Sequence, residues 1–274
     1  MGIDNFIPSI WSAKLLETLK AAHVLGNVVN RDYEGEIAQY GDTVHIHNIG
    51  SVTVGDYTKN GTIDPPELLT DERRSLIIDQ AKYFNFLVDD IDKAQQKPKV
   101  MGAAMQEAGY ALADVADKRL AGHAVEATYD YTEAALSQAN VYDTIAETAE
   151  LLDVANVPRA GRFFVIPPFM HTAMVLAEIL ETSGSVDANS ALRNGFVGRL
   201  LGFDFWISNN LLVTTGVTSA MAGTRKAISF AEQIVKVEPF RPEDRFADAV
   251  KGLHVYGSKV VYPDALVEVK LEKA

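Results

Sequence analysis

Apolar residues near the N-terminus follow a helical period. Trp11, Leu15, Leu16 and Leu19 recur at spacings of three and four residues, which predicts an amphipathic helix. The helix is expected to end near Gly26. Its apolar face must be buried, either on its own domain or on a neighbouring subunit.

Residues 98–129 carry the strongest helical pattern of the chain. Met105, Leu112 and Leu120 belong to its apolar seam, whereas Asp114 and Asp117 lie off the seam. A helix of this length would span roughly 45 Å. It is predicted to form a spine along an elongated domain.

Polar and apolar residues alternate over 43–47, which predicts a strand, and a second extended stretch is predicted over 73–78. Between them lie the pair Asn60-Gly61, which favours a tight turn, and the run 64–66, whose two prolines exclude regular structure. The sequence therefore predicts a long hairpin whose polar tip its own domain can hardly bury.

The second half of the chain mixes helical and extended patterns. Helices are predicted at 142–152 and 169–180, and strands at 162–166, 203–208, 227–230, 234–238, 249–257, 259–262 and 265–271. This mixture, together with the hairpin and the spine helix, predicts an α+β fold class.

Composition narrows the class of protein further. The 274 residues are 47% apolar, which permits a sizeable core and excludes disordered and fibrous classes. The formal charge of −12 argues against a dedicated nucleic-acid binder and against docking on anionic lipid. Cysteine is absent, and no apolar run approaches the ~20 residues of a membrane span.

A search for catalytic motifs finds none. The chain lacks a phosphate-binding Gly-x-x-x-x-Gly-Lys loop, a Gly-x-Ser-x-Gly elbow and a His-Glu-x-x-His pair. Gly195, Gly198 and Gly202 precede a predicted strand rather than link a strand to a helix, so a role in turns is favoured over dinucleotide binding.

Two clusters have metal-ligating residue types. His45 and His47 share one face of a predicted strand, but only Asp42 lies near enough in sequence to be a third ligand. The acidic residues of 89–92 lack the glycine spacing of a calcium loop. We therefore expect no catalytic residue, no metal and no cofactor.

Other residues are candidates for contacts between subunits. The run Asp71-Glu72-Arg73-Arg74 lies on the predicted hairpin, where it forms either a solvated face or inter-subunit ion pairs. Trp11 is either a core residue of its helix or an interface anchor. Tyr57 and Lys59 lie at the predicted tip.

The order of these elements resembles the major capsid protein of tailed double-stranded DNA bacteriophages. That fold, which herpesvirus capsid floors and encapsulin shells share, has an N-terminal arm, an extended β-hairpin loop, a peripheral domain with a long spine helix and an axial α/β domain. The match extends over nearly the whole chain, and the order of the similar segments makes it specific. They are FIPSIWS (6–12), VNRDYEGE (29–36), GDTVHI (41–46), IDQAKYF (78–84), VDDIDKAQ (88–95), 195–208 and 223–237.

The resemblance implies a division of the chain into five parts. Residues 1–40 would be the N-terminal arm, 41–92 the extended loop with its base strands, and 93–135 the spine helix of the peripheral domain. Residues 136–224 would be the axial domain, and 225–274 the peripheral sheet.

The resemblance also implies a structural role without enzymatic activity. The chain would self-assemble as hexamers and pentamers into an icosahedral head that encloses DNA without sequence-specific binding. The expected partners are a portal protein and a separate scaffolding protein, since the capsid-like arm starts at Phe6. Decoration proteins are a further option. The expected location is the virion, after assembly in the host cytoplasm.

Two other functions stay open from the sequence. One is an encapsulin-like shell around an enzyme cargo, and the other is a soluble α/β enzyme. Some relatives of the capsid family join subunits by an isopeptide bond between a loop Lys and an Asn of a neighbour's peripheral domain. Lys59 could supply the Lys, but residues 211–274 contain no Asn, so we expect a non-covalent shell.

Overall fold

The computed structural model describes residues 23–34, 40–49, 71–89, 100–179, 196–244 and 246–274, together with residues 15, 56, 59 and 65. Within these ranges the α-helices are α1 (Leu25–Val28), α2 (Val100–Ala121), α3 (Val141–Val154) and α4 (Pro168–Leu176). The strands are β1 (Thr43–Ile49), β2 (Asp71–Ile77), β3 (Gln80–Asp89), β4 (Tyr129–Leu136), β5 (Arg162–Ile166), β6 (Phe196–Leu200), β7 (Phe203–Ile207), β8 (Leu212–Thr214), β9 (Val217–Thr224), β10 (Ile228–Phe240), β11 (Ala247–Val260) and β12 (Leu266–Lys273).

The predicted spine helix is present as α2, but it is shorter than its sequence pattern indicates. It has 22 residues and is therefore roughly 33 Å long. At Gly122 the chain enters a short 3-10 turn, and the strand β4 follows. The sequence prediction of helix up to residue 129 is wrong here, because a glycine weakens the helix and Tyr129 and Tyr131 begin an alternating strand pattern.

The described strands form three sheets. β1 and β2 make a two-stranded hairpin base, and β10, β11 and β3 pair in that order in a second sheet. The third sheet has the order β4-β12-β9-β5-β7-β6, with β8 paired to β9. Only β4 with β12 and β5 with β7 are parallel among the described pairs. This mixture of sheets and helices confirms the α+β class.

The largest core cluster lies on the seven-stranded sheet. β5 is buried along its whole length, which explains why the four residues after Arg162 are a continuous apolar run rather than an alternation. Helices α3 and α4 cover the sheet with Ile145, Leu152, Met170 and Met174, which are all fully buried. The strands and helices predicted between 142 and 208 are confirmed, with small shifts of their ends.

The three-stranded sheet packs one face against α2. Met105 of α2 contacts Val237 and Val250, and the half-buried ring of Phe84 joins the same cluster. A Cβ on Gly252 would lie 2.3 Å from the ring of Phe84, so this glycine makes room for the ring.

The C-terminal strand leaves the sheet to which the sequence assigned it. Residues 225–274 were expected to form one peripheral sheet, but only β10 and β11 lie in the sheet that contains β3. β12 instead lies between β4 and β9 in the seven-stranded sheet, where its side chains are mostly buried. The expected boundaries at 135 and 225 therefore do not separate these two sheets, and the assignment of the other segments to domains stays a prediction.

In the part of the chain that the structure describes, no helix is both long enough and apolar enough to cross a membrane.

Two hairpins of the seven-stranded sheet close with two-residue turns. Leu201 and Gly202 join β6 to β7, and Thr215 and Gly216 join β8 to β9, with positive φ at all four residues. Such turns favour Asn followed by Gly, because a β-branched residue is strained in the left-handed region. Thr215, with φ of 53°, is therefore the less suitable residue of its turn.

We predict that Thr215→Asn raises the free energy of unfolding by up to about 1 kcal/mol. Urea denaturation of the unassembled subunit measures the change. The matched control is Thr214→Asn, one residue earlier in β8, where an exposed strand position offers no relief of strain. An unchanged or lower stability of Thr215→Asn would contradict the prediction.

Candidate assembly interface

The hairpin base is a regular antiparallel pair that buries one face. Thr43 lies opposite Ile77, and the register continues without irregularity to Ile49 opposite Asp71. Val44, Ile46 and Leu76 are buried, whereas His45 and Ile77 on the other face are exposed. The predictions of strands at 43–47 and 73–78 are therefore confirmed, with small shifts of their ends.

The buried face of the hairpin base packs on the outer face of β10 and β11. Its residues form a cluster with Ala231, Val255 and Val261. Gly257 of β11 permits this approach, because a Cβ there would lie 2.3 Å from the carbonyl oxygen of Ile77. The hairpin is thus held at its base by close backbone packing.

Of the seven candidate contact residues, Arg74 is the one whose side chain has a described contact. It lies in β2 opposite Ile46, and its Nη1 donates a hydrogen bond of 3.4 Å to the carbonyl oxygen of Val260. Arg74 therefore makes a contact within its own chain.

The other candidates lie wholly or partly outside the described residues. Asp71, Glu72 and Arg73 belong to β2, but only their backbones are described, and Lys59 is exposed in a turn. Trp11 and Tyr57 lie outside the described residues. Their roles in subunit contacts stay predictions.

The histidines singled out in the sequence do not form a metal site in the described structure. His45 Nδ1 lies 3.2 Å from the hydroxyl of Ser75, its partner across the hairpin. The side chain of His47 and residues 90–92 of the acidic run lie outside the part of the chain that the structure describes. Among the described residues, no group of three or more His, Asp or Glu could hold a metal ion.

Part of the predicted N-terminal arm anchors this region to the body through contacts that sequence reasoning missed. We call residues 23–34 the arm segment. Asn30 donates its backbone N–H to the carbonyl of Ile228 at 2.9 Å and accepts one from Phe230 at 2.8 Å. The arm segment thus adds a single parallel bridge to β10.

The carboxylate of Asp117 caps the short helix of the arm segment from outside. It accepts hydrogen bonds from the backbone N–H groups of Val24, Leu25 and Gly26 at 2.8, 3.2 and 3.2 Å. Val24, the N-cap residue, contributes no side-chain cap of its own. The expectation that Gly26 ends a helix is wrong, because Gly26 lies inside α1. Asp117 lies off the apolar seam of α2 and is nonetheless 1% exposed.

His23 lies between two carboxylates in the interior. Its Nδ1 is 2.7 Å from Asp117 Oδ1, and its Nε2 is 3.1 Å from Glu232 Oε2. The same Glu232 oxygen lies 3.1 Å from His254 Nε2, and the other Glu232 oxygen accepts a hydrogen bond from Arg31. We call these five residues the charge cluster.

The surroundings shift the acidity of two members of the charge cluster in opposite directions. Burial alone would lower the pKa of His23, but hydrogen bonds and charges from Asp117 and Glu232 outweigh it and raise that pKa from 6.5 to about 9. Burial alone would raise the pKa of Glu232, but bonds to His23 and His254 and the charge of Arg31 hold it well below its usual range.

No pattern in the sequence predicts the charge cluster. Its members are 94 and 209 residues apart along the chain, counted from His23 to Asp117 and to Glu232. They meet only because α2 and β10 pack against the arm segment. A buried Asp within a helical pattern is recognisable in sequence only from its partners.

Comparison with known proteins identifies the family. No protein-family model and no curated protein matches the chain. A solved structure from Mycobacterium phage Che8 is similar at 34% identity, with a TM-score of 0.72 over 90% of both chains. The capsid structure of cyanophage P-SCSP1u is similar at 16% identity, with a TM-score of 0.68 over 92% of this chain and 87% of the other.

The chain belongs to the major capsid proteins of tailed double-stranded DNA bacteriophages. It is thus a structural capsid subunit that assembles with copies of itself, and its place is the capsid of the virion. The virus-like particle of Pyrococcus furiosus is also similar, at 11% identity with a TM-score of 0.59 over 96% and 98% of the two chains. This weaker similarity does not favour the alternative of an encapsulin-like compartment.

The close packing of the hairpin base against β11 of this capsid protein leads to a testable prediction. We expect Gly257→Ala to lower the free energy of unfolding by about 1–3 kcal/mol, because the new methyl group meets backbone rather than a movable side chain. It should also reduce the yield of shells. Denaturation and sedimentation measure the two effects.

Gly122→Ala is the matched control for this substitution. A Cβ at Gly122 meets nothing within 4 Å. Its stability and shell yield should stay close to those of the unchanged protein. Equal behaviour of the two variants would show that close packing at Gly257 is unimportant.

Proposed function

We propose that this chain builds an icosahedral phage head of hexamers and pentamers around double-stranded DNA. The observation that carries the proposal is the 34% identity to the phage Che8 chain across 90% of both chains. The connection of 21 residues between Ile49 and Asp71 supports it, since it is far longer than a hairpin turn requires.

The exposed face of the three-stranded sheet offers a surface for neighbouring subunits. Tyr83 of β3 is 80% exposed, and Leu87 and Leu253 lie on the same face with partial exposure. Their register places Leu253 directly opposite Tyr83. Apolar side chains grouped in this way on a subunit that forms shells are best explained by burial against another copy.

We further propose partners and a location that the capsid family makes reasonable. A separate scaffolding protein directs assembly in the host cytoplasm, a portal protein occupies one vertex, and decoration proteins are an optional addition. The charge of −12 favours containment of DNA without tight or sequence-specific binding.

A role without enzymatic activity is part of the proposal. The five titratable residues of the charge cluster converge in the interior, and four of them are at most 5% exposed. A substrate therefore has no access to it. The contents of purified particles distinguish the alternatives, because DNA supports a phage head, whereas an enzyme cargo would support a compartment.

We predict that co-expression with the scaffolding protein yields closed shells, and that Tyr83→Ser abolishes them. Because Tyr83 is mostly exposed, the free energy of unfolding of the variant subunit should change by no more than about 0.5 kcal/mol. Sedimentation and negative-stain microscopy measure assembly. Asn85→Ser, on the same exposed face of β3, is the control and should assemble normally.

If the unchanged protein formed only monomers or small oligomers with its scaffolding partner, the proposed function would be wrong. If Tyr83→Ser assembled as well as Asn85→Ser, the shell could still form, but the exposed sheet face would not be a subunit contact.

We also predict that the mature shell is not covalently cross-linked. Residues 211–274 contain no Asn that could accept an attack by Lys59, so Lys59→Ala should leave the particles unchanged. Mature particles boiled in detergent should migrate as one band near 29.9 kDa. A ladder of multimers that disappears in Lys59→Ala would contradict this prediction.

A further inference from the structure

Hydrogen-bond geometry determines the protonation state of His23. Both ring nitrogens face carboxylate oxygens, Nδ1 toward Asp117 and Nε2 toward Glu232. An ionised carboxylate only accepts hydrogen bonds, so each nitrogen must carry a proton. His23 is therefore an imidazolium cation in this arrangement.

The charged groups around His23 also indicate that its ring is a cation. The arm segment contributes His23, Arg31 and Glu34 to this region, α2 contributes Asp117, β10 contributes Glu232, and β11 contributes His254. Arg31 pairs with Glu232 and Glu34. Among the described residues, His23 is the cation in contact with Asp117.

His254 differs from His23 in its hydrogen bonds. Its Nε2 faces Glu232, but its Nδ1 is buried without a partner. A proton on Nδ1 would be an unsatisfied buried donor, so the neutral form with its hydrogen on Nε2 suits the site. The cation that joins the two carboxylates is thus His23.

We propose that the charge cluster is a pH-dependent anchor for the N-terminal arm. While both nitrogens of His23 are protonated, the arm segment is bound to α2 and β10. When alkaline conditions remove one proton, a lone pair faces a buried carboxylate, and the amides of residues 24–26 leave Asp117. This regulation is a property of the single subunit and does not depend on shell formation.

The direction of the pH dependence follows from linkage. A folded-state pKa of about 9 against 6.5 in the unfolded chain means that His23 stabilises the anchor fully below pH 6.5. This stabilisation is lost as the pH rises from 6.5 through 9. The lowered pKa of Glu232 acts in the opposite sense, since its contribution is present above pH 4.5 and is lost in stronger acid.

Hydrogen exchange on the full-length subunit tests the proposal directly. After correction for the intrinsic pH dependence of exchange, protection of the amides of 24–26 should fall on the order of 10–100-fold between pH 6.5 and 9. Amides of β5, which lies in the main core, should keep their protection. Constant protection at 24–26, or a parallel loss in β5, would overturn the proposal.

Nitrogen NMR of the histidine rings provides a test that needs no variant. At pH 7 both ring nitrogens of His23 should have the chemical shifts of a protonated imidazolium. A shift typical of an unprotonated nitrogen at either position would overturn the proposal, even if the arm segment loosened at alkaline pH for another reason.

Variants separate the anchor from general stability. His23→Gln should lower the protection of 24–26 at pH 6.5 and remove its pH dependence up to pH 9. Glu232→Gln should move the midpoint of release to lower pH by roughly 1–3 units, because one of the two carboxylates is neutralised. His45→Gln, at an exposed histidine of β1, is the control and should leave the profile unchanged. An unshifted midpoint in Glu232→Gln would contradict the proposal.

Discussion

The antiparallel pairing of β10 with β11 is the interaction on which the other parts of this subunit depend. One face of this pair carries Glu232, which binds the arm segment, and the other face carries Ala231 and Gly257, which receive the hairpin base. Because neighbouring residues of a strand point to opposite faces, a slip of one residue would exchange these two attachments. The register of one strand pair therefore positions both elements.

A register shift in β10 also determines how this strand packs against α2. The pairing with β11 shifts between Ile234 and Lys236. Ile234 and Val237, three positions apart, consequently both pack with Met105 of α2, although strict alternation would place them on opposite faces.

Stability alone does not explain why charges are buried at the base of the arm. Well-packed apolar residues often replace a buried ion pair at no loss of stability, whereas removal of a single partner costs about 3–5 kcal/mol. A carboxylate that accepts hydrogen bonds from three consecutive amides can bind the arm segment in only one position. An apolar patch would not impose that position. In this subunit the charge cluster specifies where the arm is attached, and it makes that attachment sensitive to pH.

Sequence patterns predicted the elements whose periodicity is local. Strand β1 of the hairpin base follows from the alternation of polar and apolar residues. Most of α2 follows from helical spacing, and the buried strand β5 follows from a run of apolar residues. β4 was missed because the mostly small and apolar residues of 121–128 extend the helical pattern up to the start of the strand. β12 was assigned to the wrong sheet because strand character does not reveal the pairing partner. The burial of Asp117 was not predicted, because its partners, His23 and three backbone amides, are distant in sequence.

The search for catalytic motifs found none, and the structural role of the family gives a physical reason for this result. An enzyme concentrates its chemistry in a few side chains, whereas a shell distributes it over contacts that symmetry repeats at every subunit. Contacts that are individually weak then suffice for a stable particle, because each additional contact forms within an assembly that is already partly closed. A single chain consequently shows its function as attachment points, an exposed sheet face and the order of its elements, and these features are visible in geometry rather than in motifs.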